Sequence, residues 1–162
     1  MNNKIPPPIV TLFCGLGIYC SSYLFPTFSF DYSILISIIF VLIGFFIFLS
    51  AIRLFKKHET TVDPSKPEKA SSLITNGVFK YSRNPMYLGM LLLLCSISIQ
   101  FSLVGGLIII PIFVLFITKY QIIPEEKAMA ILFKEDFQSY KEKTRRWFWL
   151  WEMSLVALQN SN

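Results

Sequence analysis

The chain has 162 residues, 54% of them hydrophobic and 16% aromatic, with 15 Lys and Arg against 10 Asp and Glu and a formal net charge of +5. So large an apolar share exceeds what a soluble domain of this size needs for its core, and no charge occurs in residues 5–30, 32–52 or 84–118. These features exclude an ordinary water-soluble domain. With no nucleic-acid-binding motif present, the basic excess reads as membrane topology and attraction to anionic lipid headgroups.

The first apolar tract follows Lys4 and three consecutive prolines, Pro6, Pro7 and Pro8. It lacks a small-residue cleavage site, so a retained first helix over roughly 8–25 is expected rather than a cleaved signal peptide. A second helix is expected over roughly 33–54, again of spanning length. Cys14, Cys20 and Cys95 lie inside apolar tracts at spacings that fit neither a zinc site nor a disulfide framework, and read as packing residues. Gly15, Gly17 and Gly44 read as points of close helix contact or as openings of a substrate path.

Residues 55–84 then form a polar connector with Pro64 and Pro67 among Ser, Thr and Lys, a composition that opposes a helix. His58, the one histidine, is a conceivable base but reads as an exposed connector residue. Toward its end the connector carries Leu73-Ile74-Thr75-Asn76-Gly77-Val78-Phe79, in which apolar pairs flank an Asn-Gly turn signal.

The third tract, as a single helix, would be about 50 Å long, well beyond a hydrocarbon core of about 30 Å. It must fold back, and Gly105-Gly106 marks the expected reversal, giving a hairpin of two spans at roughly 87–103 and 107–123. The expected fold is therefore all-α: a single polytopic membrane domain over 1–162 with about four transmembrane helices. Lys4, the seven Lys and Arg from Arg53 to Arg83 and the seven from Lys119 to Arg146 all fall on one side, which places both termini and the connector in the cytosol.

The cytosolic C-terminal region is residues 124–162. From Glu125 to Lys141, Met129, Leu132, Phe133, Phe137 and Tyr140 recur at three- and four-residue steps, the pattern of an amphipathic helix. Arg145 and Arg146 precede Trp147, Phe148, Trp149 and Trp151, then Leu155 and Leu158. Tryptophan at this density beside arginine predicts a second segment in the headgroup region.

Two groups of residues carry possible chemistry. At the entry to the third span stands Arg83-Asn84-Pro85-Met86-Tyr87, where Asn84 can cap a helix, Pro85 suits its first turn, and Asn and Tyr offer neutral groups to a polar ligand. At the cytosolic end of the fourth span stands Pro124-Glu125-Glu126. Paired acids suit a first helical turn beside the positive end of the macrodipole, and they are also placed to meet a cation or ribose hydroxyls.

With these elements in order, the sequence resembles the isoprenylcysteine carboxyl methyltransferases and the related phospholipid methyltransferases. The resemblance starts at Phe55, passes Thr60-Thr61-Val62-Asp63-Pro64, is close from Leu73 to Tyr87, and resumes at Glu125-Glu126 through Phe133, Phe137, Tyr140 and Lys141. It implies S-adenosylmethionine as cofactor and a lipidic or hydrophobic acceptor reached from the membrane: a prenylcysteine carboxylate, a phospholipid amine or a small thiol. It further implies that Ser71, Ser72, Leu73 and Ile74 line the cofactor pocket and that Phe79 packs on adenosine. Asn84, Pro85, Met86 and Tyr87 would form a wall, and Glu125 would bind the cofactor with Glu126 close by. Arg83 and Gln121 are expected to meet the acceptor. Many prenylcysteine enzymes have His at the position of Asn84, and Arg, thought to meet a substrate carboxylate, at that of Gln121; a neutral amide holds a carboxylate less well. No catalytic base and no metal site are assigned. The rival readings are a non-catalytic membrane scaffold that keeps the fold and a membrane reductase.

Overall fold

The computed structural model describes residues 5–28, 30–59 and 71–147, and among these the protein is helical throughout, with no strand. The middle of the connector and the aromatic tail from Phe148 onward lie outside the described residues. Helix α1 is Pro7–Ser21, α2 is Ser33–Lys57, α3 is Pro85–Phe101, α4 is Leu103–Ile117 and α5 is Ile123–Lys143; a short 3-10 turn occupies Gly77–Lys80 and a π-helical stretch Thr118–Ile122.

Two of these helical runs are long and apolar enough to cross a membrane, Ser33–Lys57 and the continuous run Leu103–Lys143, while Pro7–Ser21 and Pro85–Phe101 are shorter apolar helices. In α2 the apolar window is only 17% buried, with Leu42, Phe45 and Phe46 more than half exposed. A helix that is apolar on all sides and uncovered by protein needs lipid around it. Its last turn holds Lys56 and Lys57, cations that suit the negative end of the helix dipole.

Close backbone contact sets the α2–α3 crossing. A Cβ on Gly44 would lie 2.9 Å from the Gly89 carbonyl oxygen, and a Cβ on Gly89 would lie 2.8 Å from that of Gly44. Lipid supplies no hydrophobic drive between helices, so this dispersion contact and buried polar pairs hold them instead. One such pair is reciprocal: Ser96 Oγ donates to the Ser37 carbonyl at 3.0 Å and Ser37 Oγ to that of Ser96 at 3.4 Å.

The hairpin between α3 and α4 reverses earlier than the sequence suggested. Ser102, extended at φ −159°, caps α4 by accepting from the Gly105 amide at 3.1 Å. Gly105 and Gly106 are helical, and they lie where a Cβ would collide with the Ser21 and Ser98 hydroxyls. Their role is the missing side chain rather than backbone freedom.

A second difference follows Ile117. The helix does not stop at Pro124: it continues through the π-helical stretch into α5, with the proline two residues after that stretch. A third concerns Trp147, expected at the membrane surface. It is 4% exposed in the main core with Ile18, Tyr87, Met90, Leu94, Phe113, Val114, Ile117 and Ile122, and its indole Nε1 donates to Thr118 Oγ1 at 3.1 Å.

Gly44→Ala puts its new methyl against backbone, whereas on Gly17 a Cβ meets only the end of the Ile109 side chain at 3.1 Å. Gly44→Ala is expected to cost about 1–3 kcal/mol and Gly17→Ala clearly less, read from thermal unfolding in detergent. Equal losses would contradict a backbone-limited crossing.

A paired-glutamate site at the polar end of the bundle

The site forms where the N-terminus of α3 meets the start of α5, with residues 71–84 on one side and 137–147 on the other. The Asn76-Gly77 signal is met by Gly77 at φ +58°, where a Cβ would also lie 2.8 Å from Leu54. The turn it opens carries Phe79 inward, edge-on to Phe55 with ring centroids 5.4 Å apart. Around them Ala51, Ile74, Phe137 and Tyr140 are buried, and Leu73, Met86, Met129 and Phe133 pack at the margin.

The two glutamates have different partners. Glu125 Oε1 accepts a hydrogen bond from the Tyr87 hydroxyl, joining α5 to α3. Burial raises the Glu125 carboxyl from 4.5 to about 8; the Tyr87 bond opposes that shift and the Glu126 charge adds to it. Glu126 instead lies between two guanidiniums. Arg83 donates to its Oε1 through Nε at 3.2 Å and Nη2 at 2.9 Å, while Arg146 reaches both oxygens through Nε at 3.0 Å and Oε2 through Nη2 at 2.8 Å. These side chains are only 6%, 12% and 18% exposed for Arg83, Glu126 and Arg146. The triad therefore behaves as a buried network, in which losing one partner costs about 3–5 kcal/mol, rather than as a surface pair.

The structure thus separates residues that the sequence treated as one wall. Tyr87 and Glu125 meet directly. Arg83, expected to face an acceptor, also donates through Nη1 to the carbonyls of Lys141 and Thr144. Asn84 makes no side-chain cap on α3; its Nδ2 donates to the Arg146 carbonyl at 3.2 Å. Pro85 is buried at the start of α3. Ser71 and Ser72 stand further off, with hydroxyls donating to the Glu59 and His58 carbonyls at 3.0 and 3.3 Å. His58 is half-buried rather than exposed, and its Nε2 has no hydrogen-bond partner among the described residues. Gln121 is 2% exposed, gives its amide Nε2 to the Ile5 carbonyl at 2.9 Å, and leaves Oε1 buried without a partner among the described residues.

Arg146, Thr118 and Tyr140 were not singled out as site residues in the sequence. Tyr140, whose phenol burial pushes up, stays a neutral donor to the Phe79 carbonyl at 2.7 Å. Its helical spacing from Phe137 was the available signal; Arg146 gave none.

A family model, phospholipid methyltransferase, matches residues 32–136, a stretch that contains Tyr87 and both glutamates. The chain belongs to that family. Membership implies a methyltransferase, and together with the two long apolar helices it indicates a membrane location. No curated protein and no solved structure matches the chain. Within this phospholipid methyltransferase family member, Arg146 lies beyond the matched segment yet completes the Glu126 triad.

A carboxyl that titrates higher folded than unfolded binds more protons in the folded state between about pH 4.5 and 8. Ligand-free stability should therefore fall as pH rises through that window and level off above it. Glu125→Gln keeps an acceptor for Tyr87 and removes the titration. Its stability relative to the unmodified protein should rise by on the order of 3–4 kcal/mol between pH 5 and 8, measured by denaturation in detergent; a difference independent of pH would contradict the buried acid.

Proposed function

We propose that the chain is an S-adenosylmethionine-dependent methyltransferase with four membrane spans and both termini cytosolic, acting on a lipidic acceptor. Charge placement supports the topology: α1 and α3 are shorter than α2, but with α2 and α4 they alternate with the basic connector and C-terminal region. Family membership supports the reaction class.

The observation that carries the cofactor reading is the unequal pair of glutamates. Glu126 is saturated by Arg83 and Arg146, whereas Glu125 has one oxygen held by Tyr87 and a carboxyl that burial keeps protonated near neutral pH. A buried acid of this kind favours a cationic ligand, which restores its ionised form and gains a charge-assisted bond. When bound, S-adenosylmethionine supplies a methyl group on a sulfonium cation, beside an ammonium group and ribose hydroxyls. The donor set fits it: Glu125 for positive charge and hydroxyls, and the Phe55–Phe79 cluster for an aromatic base.

In this reading Tyr87 fixes the Glu125 carboxyl, and the apolar cluster around Phe79 keeps water from the transfer. Positioning provides most of the catalysis. Among acceptors we favour a phospholipid amine, because the family description names phospholipids and neutral Gln121 offers no cation to a carboxylate. A groove of about 410 Å³ between α1 and α4, lined by residues such as Ile9, Phe13 and Ile109, supports a hydrocarbon-bearing substrate. Its end at Ile5 is bonded to Gln121, one turn before Glu125.

Calorimetric titration with S-adenosylmethionine tests the assignment. Glu125→Ala should lose at least tenfold in affinity, about 1.4 kcal/mol. Equal affinity in both proteins would remove Glu125 from the site. Binding by neither would favour a non-catalytic scaffold.

A further inference from the structure

Helices α1 and α4 run antiparallel, and three points fix how they lie together. A Cβ on Gly105 would lie 2.8 Å from that of Ser21, and a Cβ on Gly17 would lie 3.1 Å from Ile109 Cδ1. At the other end the Ile5 carbonyl accepts from Gln121 Nε2 at 2.9 Å. Between Ile5 and the meeting of Gly17 with Ile109 lies the groove of about 410 Å³, a size within the roughly 300–1,000 Å³ of small-molecule sites. Ile9, Phe13 and Gly17 line it at four-residue steps along one face of α1, with Val10 and Cys14 beside them.

The groove has two unlike ends. One is at Gln121, one turn before Glu125 in the run from α4 into α5. The other is closed, because past Gly17 the contact of Gly105 with Ser21 leaves no room for even a methyl group. From Ile9 to Gly17 the helix rises about 12 Å, a little less than one leaflet's share of a hydrocarbon core of about 30 Å. Helix α1 precedes the segment that matches the family model, so the groove is a feature of this chain's own first helix.

We propose that the groove holds one acyl chain of the acceptor lipid and that Gly17 and Ile109 form its floor, which sets the longest chain that fits while the headgroup stays beside Glu125. The proposal rests on the reading of the chain as a lipid methyltransferase. Lipid tails outside are as apolar as the groove, so burial alone selects nothing and fit against the floor decides. A chain too long meets Ile109 before its headgroup is in place, and one too short leaves a void whose lining loses its contacts.

The test uses the full chain in lipid nanodiscs without cofactor, irradiated with a phosphatidylethanolamine that carries a diazirine near the end of one acyl chain. Label mapped by mass spectrometry should be at least fivefold richer around Phe13, Gly17 and Ile109 than at Leu42 and Phe46, which are exposed on α2. Even labelling would reduce the groove to ordinary lipid contact and overturn the proposal. Phosphatidylethanolamines of graded chain length then compete for the label and, with S-adenosylmethionine added, serve as methyl acceptors. Gly17→Ala should shift both preferences toward shorter chains and Ile109→Ala toward longer ones, each by at least threefold in the long-to-short ratio. Unchanged ratios in both variants would overturn the floor. Competition that depends on chain length, with methyl transfer to no chain by the unmodified protein, would mean that the groove binds lipid but the acceptor reading fails, and the acceptor subsite with it.

Discussion

The Glu126 carboxylate between Arg83 and Arg146 is the interaction on which the polar end of this protein depends. A carboxylate withdrawn from water is unfavourable unless its lone pairs are met by donors, and two guanidiniums meet them from stretches of chain 43 and 20 residues away. That one requirement fixes the entry to α3, the first turn of α5 and the segment before Trp147 relative to each other. It also leaves Glu125, its neighbour in sequence, on Tyr87 alone. Paired acids that look equivalent in sequence become one group held by two guanidiniums and one held by a single phenol.

Below this polar cap the bundle obeys a different rule. The helices face lipid over much of their surface, so α2 and α3 gain from approach of their backbones at Gly44 and Gly89 and from the Ser37–Ser96 pair rather than from expelling water. The reversal at Ser102 repeats the theme, with Gly105 and Gly106 admitting the Ser21 and Ser98 side chains. The apolar bundle thus provides a packed base, and the paired glutamates sit at its polar end.

Much of the helical order was legible because it follows from charge-free tract length and three- to four-residue periodicity. Positions that depend on the absence or direction of one side chain were not. Gly105-Gly106 reads as a turn because glycine permits one, and only the packing shows that space was what mattered. Asn84 reads as a helix cap, yet its amide goes to the Arg146 carbonyl. Pro124 reads as a helix start, and the π-helical stretch before it carries the chain through without interruption. Trp147 reads as an interfacial residue until Thr118 supplies a buried partner for its indole. Tyr87 and Glu125 each stood out by local chemistry, but their placement in one site came through family resemblance, because nothing in local spacing pairs residues 38 apart.

The central claim is that this site transfers methyl groups to a lipid, and the most direct measurement is incorporation of label. Purified protein in vesicles of total membrane lipid would be incubated with methyl-labelled S-adenosylmethionine and the lipid fraction counted. The expected result is label in an amine-bearing phospholipid, reduced at least tenfold by Glu125→Ala. Protein that binds the cofactor but leaves every lipid unlabelled would contradict it.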